Sequence, residues 1–321
     1  MNNTSNTSNF APVVAFAYNR ADKIIGCLKT LEKCPEAAET DLFIYSDGPK
    51  SEKGVAAVNE TRTSLHEYEK TSRFKSVQII EAPQNKGLAK SIIEGVTKVI
   101  NDRGRAIIVE DDLIVSESFL TYMNGALNFY QDRPEVGAIC GYTYPLDALK
   151  SYPHDVYALH KGDCWGWATW QDSWDEASWA DFDYDAYFRD RKLRRGFERT
   201  ENGWDLLMLL QSQGKQNSWA IRWVMNLYKK GLLTIYPKKS LVTNNGFDGS
   251  GIHSNKSDEK HYFGSLSDAQ KKFAYTEPVP DRRLEKEAAT YPRKGLYQGV
   301  KYYLKRCYVH LYDIKRLIAG R

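Results

Sequence analysis

The chain has 321 residues, enough for one large α/β domain with or without an appendage, and 42% hydrophobic with 27% charged residues excludes wholesale disorder. The net charge of +4 is too modest to argue for a nucleic-acid partner, but it is unevenly spread. Residues 291–321 carry eight Lys or Arg against one acid, Asp313, a net +7, so the remainder sums to −3.

Five cysteines is an odd number without metal-type spacing; Cys27 and Cys34 lie seven residues apart and the others are isolated. This pattern predicts reduced thiols in a cytosol rather than a disulfide framework. Residues 1–10 read as a disordered polar leader with no basic or apolar stretch, so no signal peptide is expected. No run approaches the roughly 18 apolar residues of a membrane span.

The first predicted element is a buried strand, Val13–Ala17, which ends in Tyr18, Asn19 and Arg20. Asp22 is a good N-cap for a helix carrying Ile24, Leu28 and Leu31. A second strand, Leu42–Tyr45, stops at the turn Ser46-Asp47-Gly48-Pro49. Residues 51–72 read as a polar helix and Val77–Ile80 as a third strand. Asn85-Lys86-Gly87 opens a helix with Ile92, Val96, Val99 and Ile100 on one face. The fourth strand, Ala106–Val109, runs into Glu110-Asp111-Asp112.

Four strand–helix alternations with long connections predict an α/β fold whose central sheet is mostly parallel. Ligands of such sheets bind beyond the carboxyl ends of the strands, where Arg20, Asp47 and the acids at 110–112 are expected.

The second half changes character. All eight tryptophans fall between Trp165 and Trp223, helices are predicted at Trp204–Leu210 and Trp219–Tyr228, and residues 243–255 form a Gly/Asn-rich loop. From Tyr291 onward a basic amphipathic helix is predicted. It suits docking to an anionic membrane face, or alternatively packing on the domain or dimerisation.

Several motifs carry chemistry. Three consecutive acids at a strand end repel one another, and a hard divalent ion (Mn²⁺ or Mg²⁺) shared with substrate phosphates relieves them. A solvated helix-capping turn is the plainer alternative. Asp47 can accept from a nucleobase N–H, or simply brace its own turn. Arg20 can neutralise phosphate, or make a surface ion pair. Asn85, Lys86 and Gly87 place backbone N–H groups at a helix start, as phosphate or a sugar hydroxyl requires, and equally suit an ordinary cap. The tryptophans either stack on sugar rings or fill a core, with most expected in the core. Asp205 is a candidate general base toward an acceptor hydroxyl, with Asp163, Asp172 and Asp175 as competitors. His253 is a candidate metal or phosphate ligand.

In order, Tyr18-Asn19-Arg20, Ser46-Asp47-Gly48, Asn85-Lys86-Gly87 and Glu110-Asp111-Asp112 resemble the GT-A fold glycosyltransferases. The stretch Val109 to Val115, with Phe119 downstream, is similar to N-acetylglucosaminyltransferase I, and bacterial family 2 glycosyltransferases of surface-polysaccharide pathways are similar at the N-terminal motifs. Trp165-Gly166-Trp167 resembles an acceptor-side segment, Gly203-Trp204-Asp205 the segment that supplies the base, and Gly246 to His253 a glycine-rich loop ending in His.

The resemblance implies a metal-dependent, inverting transfer from a nucleotide-sugar, UDP-linked, to a glycan or glycolipid acceptor. Arg20 and Asp47 would hold the nucleotide, Glu110 and Asp111 the donor sugar and ribose, and Asp112 the metal. Asp205 would be the base, with Trp165, Gly166, Trp167 and Trp204 on the acceptor side and His253 near the diphosphate. It implies a nucleotide-sugar half over 11–140, an acceptor half over 141–275 and a helical tail over 276–321. A non-catalytic carbohydrate-binding protein and a sugar-nucleotidyltransferase are the rival readings.

Overall fold

The structure is a computed structural model that describes residues 10–175, 177, 179, 182–246, 266–267, 269–291 and 296–318. Residues 1–9 of the expected leader, and residues 247–265 with His253, lie outside the described residues.

The four predicted alternations are present. They run β1 (Val13–Ala17), α1 (Ala21–Leu31), β2 (Asp41–Ser46), α2 (Val55–Glu69), β3 (Ser76–Glu81), α3 (Leu88–Arg103) and β4 (Arg105–Glu110). Strands β3, β2, β1 and β4 are neighbours in that order and all parallel. The helix after β1 begins two residues earlier than the sequence suggests. Arg20 is its N-cap without a side-chain hydrogen bond, and Asp22 sits in the first turn, where its charge still complements the helix dipole.

Each residue of β1 is buried because both faces of the sheet are covered. Val13, Ala15 and Ala17 point into the core shared with Ile24, Leu28 and Leu31 of α1. Val14 and Phe16 point to the other side, against Ile92, Val96 and Val99 of α3.

The chain continues through β5 (Leu113–Val115), α4 (Phe119–Phe129), β6 (Val136–Cys140), β7 (Val156–Leu159), β8 (Trp167–Trp170) and α5 (Gln171–Asp175). Then come α6 (Tyr184–Arg189), α7 (Arg191–Glu198), α8 (Trp204–Ser212), α9 (Trp219–Lys229), β9 (Leu233–Pro237) and β10 (Val242–Asn244). The last described helices are α10 (Arg282–Ala289) and α11 (Leu296–Ile318).

These strands extend the first four into one eight-stranded sheet of order β3-β2-β1-β4-β8-β6-β9-β7, in which β8 and β7 run against the other six. The fold is therefore α/β with a mostly parallel central sheet. The sheet crosses residue 140 without a break, because β4 pairs with β8. A separate two-stranded sheet joins β5 to β10 in antiparallel register, with Asn244 opposite Leu113.

Five tryptophans form one buried stack. Trp167 lies 5.6 Å from Trp174 and 5.3 Å from Trp219 by ring centroid, and Trp223 and Trp179 complete the group. Trp167 is 0% exposed, which corrects the expectation that it faces an acceptor. On the alternating strand β8, Ala168 faces the α1 side of the sheet and Trp167 the α3 side, so neither reaches solvent.

Residues beyond 276 are packed rather than detached. Leu284 and Ala288 are buried against Tyr142, Tyr157 and Tyr236, and Val309 of α11 is buried with Met208 and Leu209 of α8.

Candidate active site

The parallel strands β1, β2 and β4 end side by side, and the loops at those ends carry the charged residues. Two clusters result. In the first, the Arg20 guanidinium spans the acids after β4: Nε donates to Asp111 Oδ2 at 3.0 Å, and Nη2 donates to Asp111 Oδ1 and, at 3.2 Å, to Asp112 Oδ2. Arg20 Nη1 is buried and has no hydrogen-bond partner among the described residues.

Sequence reasoning missed two groups on the far side of Asp112. Asn244 Nδ2 donates to Asp112 Oδ1 at 3.2 Å, and the Asn245 amide donates to the Asp112 carbonyl at 2.7 Å. A Cβ on Gly246 would stand 2.6 Å from Asp112 Oδ2, so glycine is what lets this backbone lie against the carboxylate. The signal was the Asn/Gly-rich composition of residues 243–255. Pairing of β5 with β10 brings that loop back to the acids.

The Glu110 carboxylate has no hydrogen bond or ion pair among the described residues. Burial first, and then repulsion from Asp112 and Asp111, pushes its carboxyl up to about 8. Burial also raises Asp111, opposed by its bond from Arg20.

The second cluster is built on Asp47. Its Oδ1 accepts from the Gly48 and Lys86 amides, both at 2.8 Å. Its Oδ2 accepts from Asn85 Nδ2 at 3.0 Å and the Gly87 amide at 2.9 Å. All four acceptor positions of the carboxylate are thus in use. Asp47, Asn85, Lys86 and Gly87 are brought together as expected, but the N–H groups proposed for a phosphate are turned onto Asp47. Asp47 organises the loop before α3 instead of facing outward for a base. Gly48 is tightly enclosed, since a Cβ there would meet the Gln84 carbonyl carbon at 2.5 Å. Tyr18 Oη accepts from the Lys50 amide at 3.2 Å, and the Lys86 ammonium pairs with Glu94 at 2.7 Å.

The acceptor-side residues separate. Trp165 packs edge-on against Tyr142 at 4.8 Å, and Gly166, at φ 62°, turns the chain into β8. Trp204 stacks on Phe197 at 5.9 Å in the cluster of α6–α9, away from Trp165.

Asp205 belongs to that second region. Arg194 grips it with two hydrogen bonds, Nε to Oδ1 at 3.0 Å and Nη2 to Oδ2 at 2.7 Å, and Tyr187 Oη donates to Oδ1 at 2.9 Å. The same guanidinium binds Asp313 of α11. The hydrogen bonds from Arg194 and Tyr187 thus occupy the carboxylate expected to act as base. A carboxylate held bidentately by a buried arginine anchors a helix, and no described contact joins it to the acids at 110–112.

Asp163 is better placed. The charges of Asp163, Glu110 and Asp112 all bear on the Cys164 thiol and raise it, after burial itself. Asp163 Oδ1 accepts from the Cys164 amide at 2.7 Å and the Trp165 amide at 3.1 Å, and Oδ2 accepts from Tyr144 Oη at 2.5 Å. One acceptor position on Oδ2 is left over. Burial raises the Asp163 carboxyl above the ordinary aspartate range. Behind it, the Lys161 ammonium sits 3.9 Å over the Tyr144 ring and pairs with Glu201 at 2.9 Å.

All five cysteines are free, as expected. Among the described residues no helix is long and apolar enough to cross a membrane. Nor do three or more His, Cys, Asp or Glu side chains converge there as a metal cage.

The chain matches no protein-family model and no curated protein. Solved structures do match. S. aureus TarS residues 1–349 align with 11% identity and a TM-score of 0.43, covering 74% of this chain and 61% of that one. Against longer TarS the alignment spans only 21% of its length and 40% of this chain, with 12% identity and a TM-score of 0.31. The mannosyltransferase PcManGT of Pyrobaculum calidifontis, solved with GDP-Man and Mn²⁺, gives 11% identity, a TM-score of 0.39, and coverage of 69% and 70%. A Bacillus anthracis protein described as a glucose-1-phosphate thymidylyltransferase gives 12%, 0.38, 79% and 98%. Identities and scores this low do not transfer a function to this chain.

Proposed function

We propose that the protein is a metal-dependent glycosyltransferase that moves a sugar from a nucleoside diphosphate sugar, UDP-linked, to an acceptor hydroxyl. The observation that carries this reading is the Arg20–Asp111–Asp112 cluster at the carboxyl edge of the parallel strands, with Asn244 and Gly246 closed against Asp112. The narrower likeness to N-acetylglucosaminyltransferase I rests on sequence, chiefly Val109–Val115 with Phe119 downstream.

The residues fit a hard divalent ion of the Mn²⁺ or Mg²⁺ kind. Asp112 offers a carboxylate, and such ions are commonly held by one or two carboxylates with substrate phosphates completing the shell. The unpartnered Nη1 of Arg20 is the donor a phosphate oxygen would satisfy. When bound, the ion supplies Lewis-acid stabilisation of the departing diphosphate. Arg20 fixes the orientation of Asp111 and Asp112. Asp163 takes the proton from the acceptor hydroxyl at its remaining Oδ2 position, and Tyr144 holds that carboxylate in place. Trp165, next in sequence, offers a partly exposed aromatic face for a sugar ring. Inversion at the anomeric carbon follows from a single displacement of this kind.

Titration of UDP with Mn²⁺, and again with EDTA, tests the reading. Binding that depends on the metal and is lost in Asp112→Ala is expected. A chain silent to UDP, GDP and dTDP in both conditions would sink it and leave a carbohydrate-binding module as the better account. Formation of a nucleoside diphosphate sugar and pyrophosphate from a sugar 1-phosphate and a nucleoside triphosphate would instead mark a nucleotidyltransferase.

A further inference from the structure

A cavity of about 1560 Å³ opens between α7, the start of α8, α10 and α11, apart from the acids after β4. Two rows of cations line it. Arg191, Arg195 and Arg199 recur every four residues along α7 and its C-cap, and Arg282 and Lys286 do the same on α10. Residues four apart share one helix face, so each row sets like charges beside one another. None of these five makes an ion pair or side-chain hydrogen bond among the described residues.

The acids of the cavity have other hydrogen-bond partners and offset the two rows only in part. Asp205 and Asp313 are held by Arg194, Glu285 by His160, and Glu198 accepts from the Gly203 and Asp205 amides. Lys161, 3% exposed at the floor, is matched by Glu201. Cations four residues apart on one helix are about 6 Å apart along its axis, within the Debye length of roughly 8 Å in physiological salt, so solvent ions screen adjacent members of each row only in part.

We infer that this cavity is a second anion site, which takes a diphosphate group. Guanidinium forks match phosphate oxygens two at a time, and a diphosphate brings several negative charges into the smallest volume. On the glycosyltransferase reading, the diphosphate belongs to the acceptor. The helix that forms one wall, α11, contributes His310 and Asp313 to the cavity and presents Leu304, Leu311 and Ile318 to solvent at 62%, 59% and 81% exposure. An apolar stripe beside a phosphate site suits a diphosphate borne on a lipid, and a soluble diphosphate satisfies the same cations.

Inorganic pyrophosphate titrated into the full chain in EDTA tests the site without a cation at Asp112 to attract it. Binding is expected, weakened by about tenfold per reversed charge in Arg195→Glu and in Arg195→Glu/Arg199→Glu. Lys192→Glu, on α7 but off the row, should bind as the parent does. The Mn²⁺-dependent part of UDP binding, taken as the difference from EDTA in the same variants, should not change, since UDP is itself a diphosphate and reaches this site without the metal. No pyrophosphate binding, or equal affinity in parent and double variant, would overturn the inference. Absence of that Mn²⁺-dependent part in the parent would instead overturn the glycosyltransferase reading and leave this site standing. Sedimentation with phosphatidylcholine vesicles, with and without a polyprenyl diphosphate, separates the sources. Retention only on the diphosphate vesicles supports a lipid-borne ligand. Pyrophosphate binding without retention supports a soluble one.

Discussion

Asp163 and Asp205 each accept a hydrogen bond from a tyrosine, and the rest of their surroundings assigns them different work. Asp205 faces a guanidinium, while Asp163 faces backbone amides, and its charge acts on the Cys164 thiol together with those of Glu110 and Asp112. Asp163→Asn should therefore lose roughly 10²–10⁴-fold in kcat, the usual worth of general-base help, with UDP affinity retained. A base must be ionised, and burial raises Asp163, so the acid limb of the pH–rate profile should lie above the ordinary aspartate range of about 4. Activity rises with pH through that limb, and the limb should vanish in the variant's residual rate. Asp205→Asn should show the opposite pattern: turnover near the parent's, with about 1–3 kcal/mol of stability lost in urea denaturation. If Asp205→Asn folds normally and is inactive, the two roles are reversed.

At the level of elements, Arg194 is the rivet between α7, α8 and α11. It is buried and binds Asp205 and Asp313 at once. Replacing it with Met leaves two carboxylates without their shared guanidinium, at a cost of about 3 kcal/mol. In an Asp205→Asn/Asp313→Asn background the same replacement should cost much less, and a double-mutant cycle would read the difference. Gly48→Ala makes a related point at the sheet edge. The added methyl collides with backbone at Gln84, so the loops after β2 and before α3 must part. Lower thermal stability and weaker UDP binding should appear together.

The same scale shows what the sequence made legible. Strands β1 to β4 and helices α1 to α3 could be read because apolar runs alternate with amphipathic periods and turns carry Asp-Gly or Asn-Lys-Gly. The acids after β4 could be read because a strand end in such a sheet has a known direction. Asn244, Gly246, Lys161 and Arg194 could not, since each acts through a partner distant in sequence. Asp205 was misplaced for the same reason. A Trp-Asp pair at a helix start looks alike whether its carboxylate faces a substrate or an arginine eleven residues earlier.

Across the whole molecule, the single eight-stranded sheet implies one cooperative unit. All tryptophans lie between 165 and 223 and several share a core with Val14, Phe16 and Ile92, so their fluorescence reports that joint core, whereas far-UV dichroism reports the whole backbone. The two urea transitions should coincide, as in two-state unfolding. A fluorescence midpoint shifted from the dichroism midpoint would show that the halves on either side of residue 140 separate. Charge is divided differently from structure. A net +7 over residues 291–321 sits beside a remainder of −3, so association with anionic surfaces should fall steeply as salt rises.

The strand order also sets a problem for the ribosome. β4 stands at the middle of the sheet, yet its second neighbour, β8, is made only after β5, α4, β6 and β7. During that interval a nascent chain already able to assemble β3-β2-β1-β4 presents the apolar edge Arg105–Glu110 unpaired. An open edge of that kind invites pairing with another chain. Translation pauses before residue 167 should therefore lower the soluble yield, and slowing codons placed after residue 170 should not.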